Sequence, residues 1–391
     1  MEKTGLSRRT QLLHTLIALV GKGLHMTNAF TLYGWHLSYF TGKVRCYLNY
    51  KRIPYVDQQV DLFTLMRTIK RHAGVVVMPV LRTPDADWLQ DSSVIIDHLE
   101  ALYPDLPVVP TTPIQRFTAY LLEAWGDEWW IPVAMHTRWS HAENYALWEQ
   151  EAGPNLLPHF PRFLQRLAAA YPAKAMRSKL HSAGVRPEQF AVLDAWTENM
   201  LDLLERHFAA QDYLLGGHPT LADYGLVGTM YGHLGRDPWP ARELVAPRPH
   251  LRAWIERMAN PPIHAQAQSL LANDAIAATL EPILRVVFAE FVPMLISIQQ
   301  RVSELLPHYP AGKPLPRGLD DIDIDTPQGT LRRAALPYTL WMAQRALDSY
   351  QAMPATDQLA LRNWLKPLGG LDLLSLNLPR LRRSGLRVTV E

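Results

Sequence analysis
The sequence predicts an α/β domain first, an all-α domain second and a mainly helical extension last, and three observations predict it. From Phe30 to Tyr103 short apolar runs alternate with helical spacing in the order β-α-β-α-β-β-α, which implies a small sheet covered by helices. The proline-rich stretch PDLPVVPTTP then interrupts the pattern, and from Ile114 to about Pro262 apolar residues recur at three- and four-residue steps. Past His264 comes a long apolar helix pattern, Ala275 to Leu306, then a Pro- and Asp-rich loop to Gln328 and two shorter helices. The resulting division is a leader at 1–28, an α/β domain at 29–104, a linker at 105–113, an all-α domain at 114–263 and the extension at 264–391.

Each element of the first domain has a local reason. FTLYG is a buried strand, and Val44, Tyr47 and Leu48 mark the apolar face of the helix after it. PYVDQQV alternates as a strand, and a second helix is expected around Leu62 to His72. MPVL starts a third strand, Pro84-Asp85 makes a turn, Trp88-Leu89 form a short strand, and Ser92 to Tyr103 form a helix. In the second domain LLEAWGDEWW, EQFAVLDAWTENMLDLLERHF and HLRAWIERM carry the helical period.

The chain has 391 residues, 48% of them hydrophobic and 19% charged, so it is long enough for several domains and is not of disordered composition. A formal charge of +2 gives no overall field that calls for nucleic acid or an acidic membrane. Cys46 is the single cysteine, which excludes a disulfide framework and is compatible with a reducing, cytoplasmic setting. The leader pairs Arg8 and Arg9 with an apolar run, Leu12 to Val20, somewhat like a twin-arginine export signal. His14 breaks that run, it is too short to span a membrane, and no small-x-small cleavage site follows. The expectation is an upstream extension, flexible or weakly helical.

Three features of the first domain carry chemistry. Ser38 stands at a strand-to-helix corner, where helix N–H groups favour an anion and a hydroxyl adds one more donor. Pro79 opens a strand without a ladder donor, so the backbone around Met78-Pro79 suits capture of a peptide. Asp91, Ser92 and Ser93 place acceptors and donors at another helix start. Taken singly, each is more often a cap or a strand start.

In that order and spacing the three resemble the thioredoxin-like N-terminal domain of the glutathione transferase superfamily. The stretch GGHPTLADYGLVG resembles the capping box of that family's helical domain, with Thr220 and Asp223 as its pair in a structural role. The segment APRPHLRAWIERM resembles the helix that follows. The resemblance covers Phe30 to Pro262 and leaves the last third unmatched. It implies a serine-type enzyme in which Ser38 contacts the glutathione sulfur and the Met78 backbone, ahead of a cis Pro79, pairs with the cysteinyl part. Asp91 and Ser92 would hold the γ-glutamyl group, and His72 would take the glycyl carboxylate. Two departures stand out: Tyr39 replaces the proline usual after the serine, and Asp91 is shorter than the usual Glu or Gln.

The chemistry implied is thiol activation. A thiol of pKa about 8.5 is only about 3% thiolate at pH 7. Lowering that pKa by about two units requires about 2.7 kcal/mol. One hydrogen bond to a charged acceptor supplies about 1.5–3 kcal/mol and a helix N-terminus about 0.3–1 more. No metal is implied. The thiolate would attack a hydrophobic electrophile. Glutathione-dependent isomerisation, dehalogenation or ether cleavage, and a non-catalytic binding or scaffold role, remain alternatives. The resemblance also implies a homodimer, with no nucleic acid and no membrane span.

The tryptophan-rich stretch around Trp125, Trp129 and His136 falls where the family builds its electrophile pocket, although packing of the core is the simpler reading. Cys46, on the first helix, reads as a small core residue. DDIDIDTPQG fails as a calcium loop, because Thr326 and Arg332 stand where Gly and Glu are required, and a solvated loop is expected. The arginines of PRLRRSGLRVTVE read as a surface face.

Overall fold
The computed structural model describes residues 29–262, 269–377 and 379–391; the leader falls outside them. Its first unit is a four-stranded sheet in the order β2-β1-β3-β4, with β1 Phe30–Gly34, β2 Tyr55–Gln59, β3 Val80–Arg82 and β4 Trp88–Gln90. β1 and β2 are parallel, while β3 runs antiparallel to both β1 and β4. Helix α1, Tyr39–Tyr50, starts at Ser38 and buries Val44, Tyr47 and Leu48. A π-helical turn, Thr64–Ile69, leads into the short α2, Lys70–Ala73. Helix α3, Ser92–Leu102, is capped by Asp91 and buries Ile95, Ile96 and Leu99. This is the small sheet covered by helices that the pattern predicts, in the thioredoxin-like form that the resemblance implies.

The helical domain contains α4 Pro113–Glu128, α5 Ile131–Trp139, α6 Ala142–Leu156, α7 Arg162–Arg177, α8 Phe190–Phe208, α9 Leu221–Thr229 and α10 Pro249–Ala259. Helices α4 and α9 cross backbone to backbone. A Cβ on Gly126 would lie 2.4 Å from the Gly225 carbonyl carbon, and one on Gly225 would lie 2.6 Å from the Glu123 Cα. Only glycine permits that approach. The start of α9 is the capping box: Thr220 N–H donates to Asp223 Oδ2 at 2.9 Å while the Thr220 side chain caps the N3 backbone. Asp223 Oδ1 also accepts from Leu214 N–H and Trp254 Nε1, both at 3.0 Å, which ties the preceding loop and α10 to the same carboxylate.

The extension is mainly helical, with α11 Glu281–Val286, α12 Val292–Leu305, α13 Pro337–Gln351 and α14 Ala355–Leu365. One expectation is corrected here. DDIDIDT is not a solvated loop but strand β5, Asp321–Thr326, paired in an antiparallel hairpin with β6, Gly329–Ala334. Ile322 and Ile324 point into the core and the aspartates outward, which is the period of two of a half-buried strand. The C-terminal arginines likewise lie on a hairpin, β7 Leu381–Ser384 with β8 Arg387–Val390. The extension shares one continuous apolar core with both earlier domains.

Candidate functional site
Strand register brings the three predicted features together. Tyr33 of β1 pairs with Val80 of β3, and Val80 pairs with Gln90 of β4. The chain that leaves β1 toward Ser38, the residues that enter β3 (Met78 and Pro79) and the residue that leaves β4 (Asp91) therefore converge at one end of the sheet. The Met78–Pro79 peptide bond is cis.

Ser38 is half-buried and extended, and its Oγ accepts from the Thr41 N–H at a long 3.4 Å. The hydroxyl proton is left free of that bond. The corner is held from the helical domain: Arg138, buried on α5, donates to the Leu37 carbonyl at 2.5 Å and to the Gly232 carbonyl at 2.7 Å, and is paired with Asp237 at 2.8 Å. Tyr39, in the place of the family's proline, runs into the domain interface, where its hydroxyl bonds the Gly126 carbonyl. Its ring lies where a Cβ on Gly228 would be, 2.4 Å from the nearest ring carbon. The departure is thus absorbed by a glycine on α9.

Asp91 has φ +89°, a region that non-glycine residues enter at a cost of about 1–3 kcal/mol and that marks functional corners. Its Oδ1 accepts from Ser93 N–H at 3.0 Å and Val94 N–H at 3.2 Å. Its other oxygen, Oδ2, accepts the hydroxyl of Tyr338, at the start of α13 in the extension. Beside it, Arg383 of β7 donates to the Gln90 side chain at 2.5 Å. Ser92 is buried. Met78 and Leu37 belong to a second apolar cluster, shared with Trp35, Met135, Trp139 and Trp148, that joins the sheet to α5 and α6.

The other predicted residues are placed differently. His72 is exposed on α2, its ring stacked 4.2 Å from Trp88, which in turn stacks on Tyr33. Trp125 and Trp129 are buried in the main core, Trp125 against Trp130 at 5.6 Å and Trp129 against Trp196 at 5.6 Å. His136 is buried between Ser140 Oγ at 2.9 Å and Asp194 at 3.0 Å. None of those contacts reaches Ser38 or Asp91. Burial pushes the Cys46 thiol up to about 12, so it stays protonated and inert near neutral pH.

Sequence reasoning missed a buried charge network under the site. Lys43, five residues past Ser38 and fully buried, donates to Glu123 at 2.8 Å, Asp127 at 2.6 Å and Ser93 Oγ at 3.2 Å. Arg345 of α13 reaches the other oxygen of Glu123 at 2.9 Å and Asp97 at 2.6 Å. Burial alone would push Glu123 up, but Arg345 and Lys43 outweigh it and hold the carboxyl below its ordinary range. Burial, helped by the charge of Glu123, pushes Asp127 up against the pull of Lys43. The signal for Lys43 lay within the SYFTGKVR stretch itself; nothing local announces Tyr338 or Arg345.

Among the described residues no group of three or more His, Cys, Asp or Glu is placed to hold a metal ion, and no helix is long and apolar enough to cross a membrane. Residues 32–107 match the family model described as the glutathione S-transferase N-terminal domain, and residues 197–257 match its C-terminal domain. No curated protein matches the sequence. Among solved structures the chain is similar to a glutathione S-transferase from Rhodospirillum rubrum, at 16% identity and TM-score 0.40, over 64% of this chain and 96% of that one. It is also similar to the Tau class enzyme of mango, Mangifera indica, at 17% identity and TM-score 0.38, over 60% and 90%. A third is the glutathione S-transferase of Methylobacillus flagellatus, solved with glutathione bound, at 20% identity and TM-score 0.37, over 58% and 93%. The thioredoxin-like sheet and the capped helical domain are thus each similar to a domain of the glutathione S-transferases, and the C-terminal extension lies outside both family models.

Proposed function
We propose that this protein binds glutathione and lowers the pKa of its thiol for attack on a hydrophobic electrophile. The observation that carries the reading is the register Tyr33–Val80–Gln90, which gathers Ser38, Met78-Pro79 and Asp91-Ser92 at one end of the sheet. In this reading the Ser38 hydroxyl donates to the thiolate and the N-terminus of α1 adds a favourable field. The Met78 backbone receives the cysteinyl unit, Asp91 and Ser92 hold the γ-glutamyl end, and His72 is the partner for the glycyl carboxylate. Trp125, Trp129 and His136 are proposed to support the electrophile pocket from behind, since each is packed or paired where it stands. A thiol co-substrate also favours a reducing, cytoplasmic setting. Any homodimer is placed away from the outer face of α3 and α4, because α13 packs on α4 and Arg345 bridges both helices.

One observation favours a second reading, a glutathione-fold protein without turnover: the free oxygen of Asp91 is already taken by Tyr338. Titrating glutathione into the wild type and into Ser38→Ala separates the two. Following both heat and thiolate absorbance across pH, the enzyme reading expects binding by both proteins, with the thiol pKa lowered only in the wild type. Absence of binding by the wild type overturns it and leaves the scaffold reading.

A further inference from the structure
The helical hairpin α6–α7 lies between the two stretches the family models cover. From Ala152 to Pro187 the sequence has no Asp or Glu and six Lys or Arg, in a protein whose overall charge is only +2. Helix α7 buries just Ala169 and Ala173 against its neighbours, with Trp148 Nε1 donating to the Ala169 carbonyl at 3.0 Å. Its opposite face carries Phe163, Leu167 and Tyr171 at four-residue steps, exposed by 64%, 67% and 82%, and Phe160 just ahead of the helix is 52% exposed. Large apolar side chains in a row at that exposure mark an interaction surface rather than scattered surface residues. Arg162, Arg166 and Lys174 stand exposed beside the row, with no ion pair among the described residues.

A second element repeats the composition. Leu62, Phe63 and Met66 are exposed ahead of α2 and on its π-helical turn, next to exposed Arg67, Lys70 and Arg71. From Leu62 to Pro84 there is again no acidic residue. Leu65 and Ile69 of this element and Ala169 and Ala173 of α7 belong to one buried cluster.

We propose that the exposed face of α7 docks on an anionic phospholipid bilayer, with α7 lying in the headgroup plane. Phe160, Phe163, Leu167 and Tyr171 enter the boundary with the acyl chains, and Arg162, Arg166 and Lys174 meet lipid phosphates. An apolar stripe edged by unpaired cations is the pattern of an interfacial helix. A second copy of this chain fits less well. A two-fold contact through α7 sets the basic flank against itself, and the stretch offers no carboxylate to neutralise it. Residues 1–28 fit no better, because they carry Lys3, Arg8, Arg9 and Lys22 against Glu2 alone. The inference does not depend on glutathione being the ligand.

The test is sedimentation of the full chain with vesicles of phosphatidylcholine alone and with about a third phosphatidylglycerol. Binding to the anionic vesicles, weakened by salt and absent from the neutral ones, is expected. The pairs Phe163→Ser with Leu167→Ser and Arg162→Glu with Arg166→Glu are each expected to lower the partition coefficient about tenfold or more. All four residues are exposed, and an unchanged melting midpoint shows that the variants fold. Equal partition onto both vesicle types, or variants that bind as the wild type does, overturns the proposal. So does loss of binding only when residues 1–28 are removed, or a dimer in solution that the same variants dissolve.

Discussion

The hydroxyl of Tyr338 donates to the carboxylate of Asp91, 247 residues earlier in the chain, and so takes the one oxygen of Asp91 that the cap of α3 leaves free. A ligand ammonium directed at Asp91 competes with that hydroxyl for the same oxygen. Tyr338→Phe keeps the ring packed against Trp341 and removes only the competitor. Because a hydrogen bond to a charged group contributes about 1.5–3 kcal/mol, the variant is expected to bind glutathione roughly ten- to hundredfold more tightly. Calorimetric titration checks this, and equal or weaker binding would show that Tyr338 supports the ligand rather than competing with it.

Lys43 is the cation on which two buried carboxylates depend. Lys43→Met leaves Glu123 with Arg345 but strips Asp127 of its partner. Breaking a buried pair from one side costs about 3–5 kcal/mol. Urea unfolding should show a loss of that order, whereas Lys43→Met combined with Asp127→Leu should recover a large part of it.

Tyr39 and Gly228 are a size-matched pair. Gly228→Ala drives a methyl into the Tyr39 ring and is expected to destabilise the chain by about 1–3 kcal/mol. Tyr39→Ala opens the space, so the double variant should be more stable than the sum of the single effects predicts. Strict additivity in unfolding experiments would contradict the packing described.

Glu290 gives stability a pH dependence. Burial raises its carboxyl to about 7, against the single hydrogen bond it accepts from Trp196 Nε1 at 2.7 Å. The folded pKa is above the unfolded one, so the folded state binds more protons between about pH 4.5 and 7 and loses stability as pH rises through that window. Glu290→Gln keeps an acceptor for Trp196 and removes the titration. It is expected to stabilise the protein by about 2 kcal/mol at pH 8 and by much less at pH 5. Melting midpoints at the two pH values decide it.

Ser38 contributes little to folding. Its cap bond is long, so Ser38→Ala is expected to cost at most about 1 kcal/mol of stability. A larger loss in denaturant titration would return the residue to a structural role and weaken the thiolate reading.

Local pattern was enough for the elements that rest on local forces. Ser38 and Asp91 mark helix starts, Thr220 and Asp223 form a reciprocal cap, and FTLYG and PYVDQQV alternate as strands, because caps and periodicity act within a few residues. The hairpin at DIDIDT is just as legible by its alternation of Ile and Asp, the period of a half-buried strand rather than of a solvated loop.

What the sequence by itself determined is therefore the order of the domains, the corners at Ser38, Pro79 and Asp91, and the identity of the groups available there. What only the tertiary structure decided is which of those groups are free. Tyr338 on Asp91, Arg345 on Glu123 and Arg138 on the Leu37 carbonyl join residues far apart along the chain. Such contacts exist only once the apolar faces of the extension and of α4 have packed, since burial fixes the partners and no local pattern encodes them.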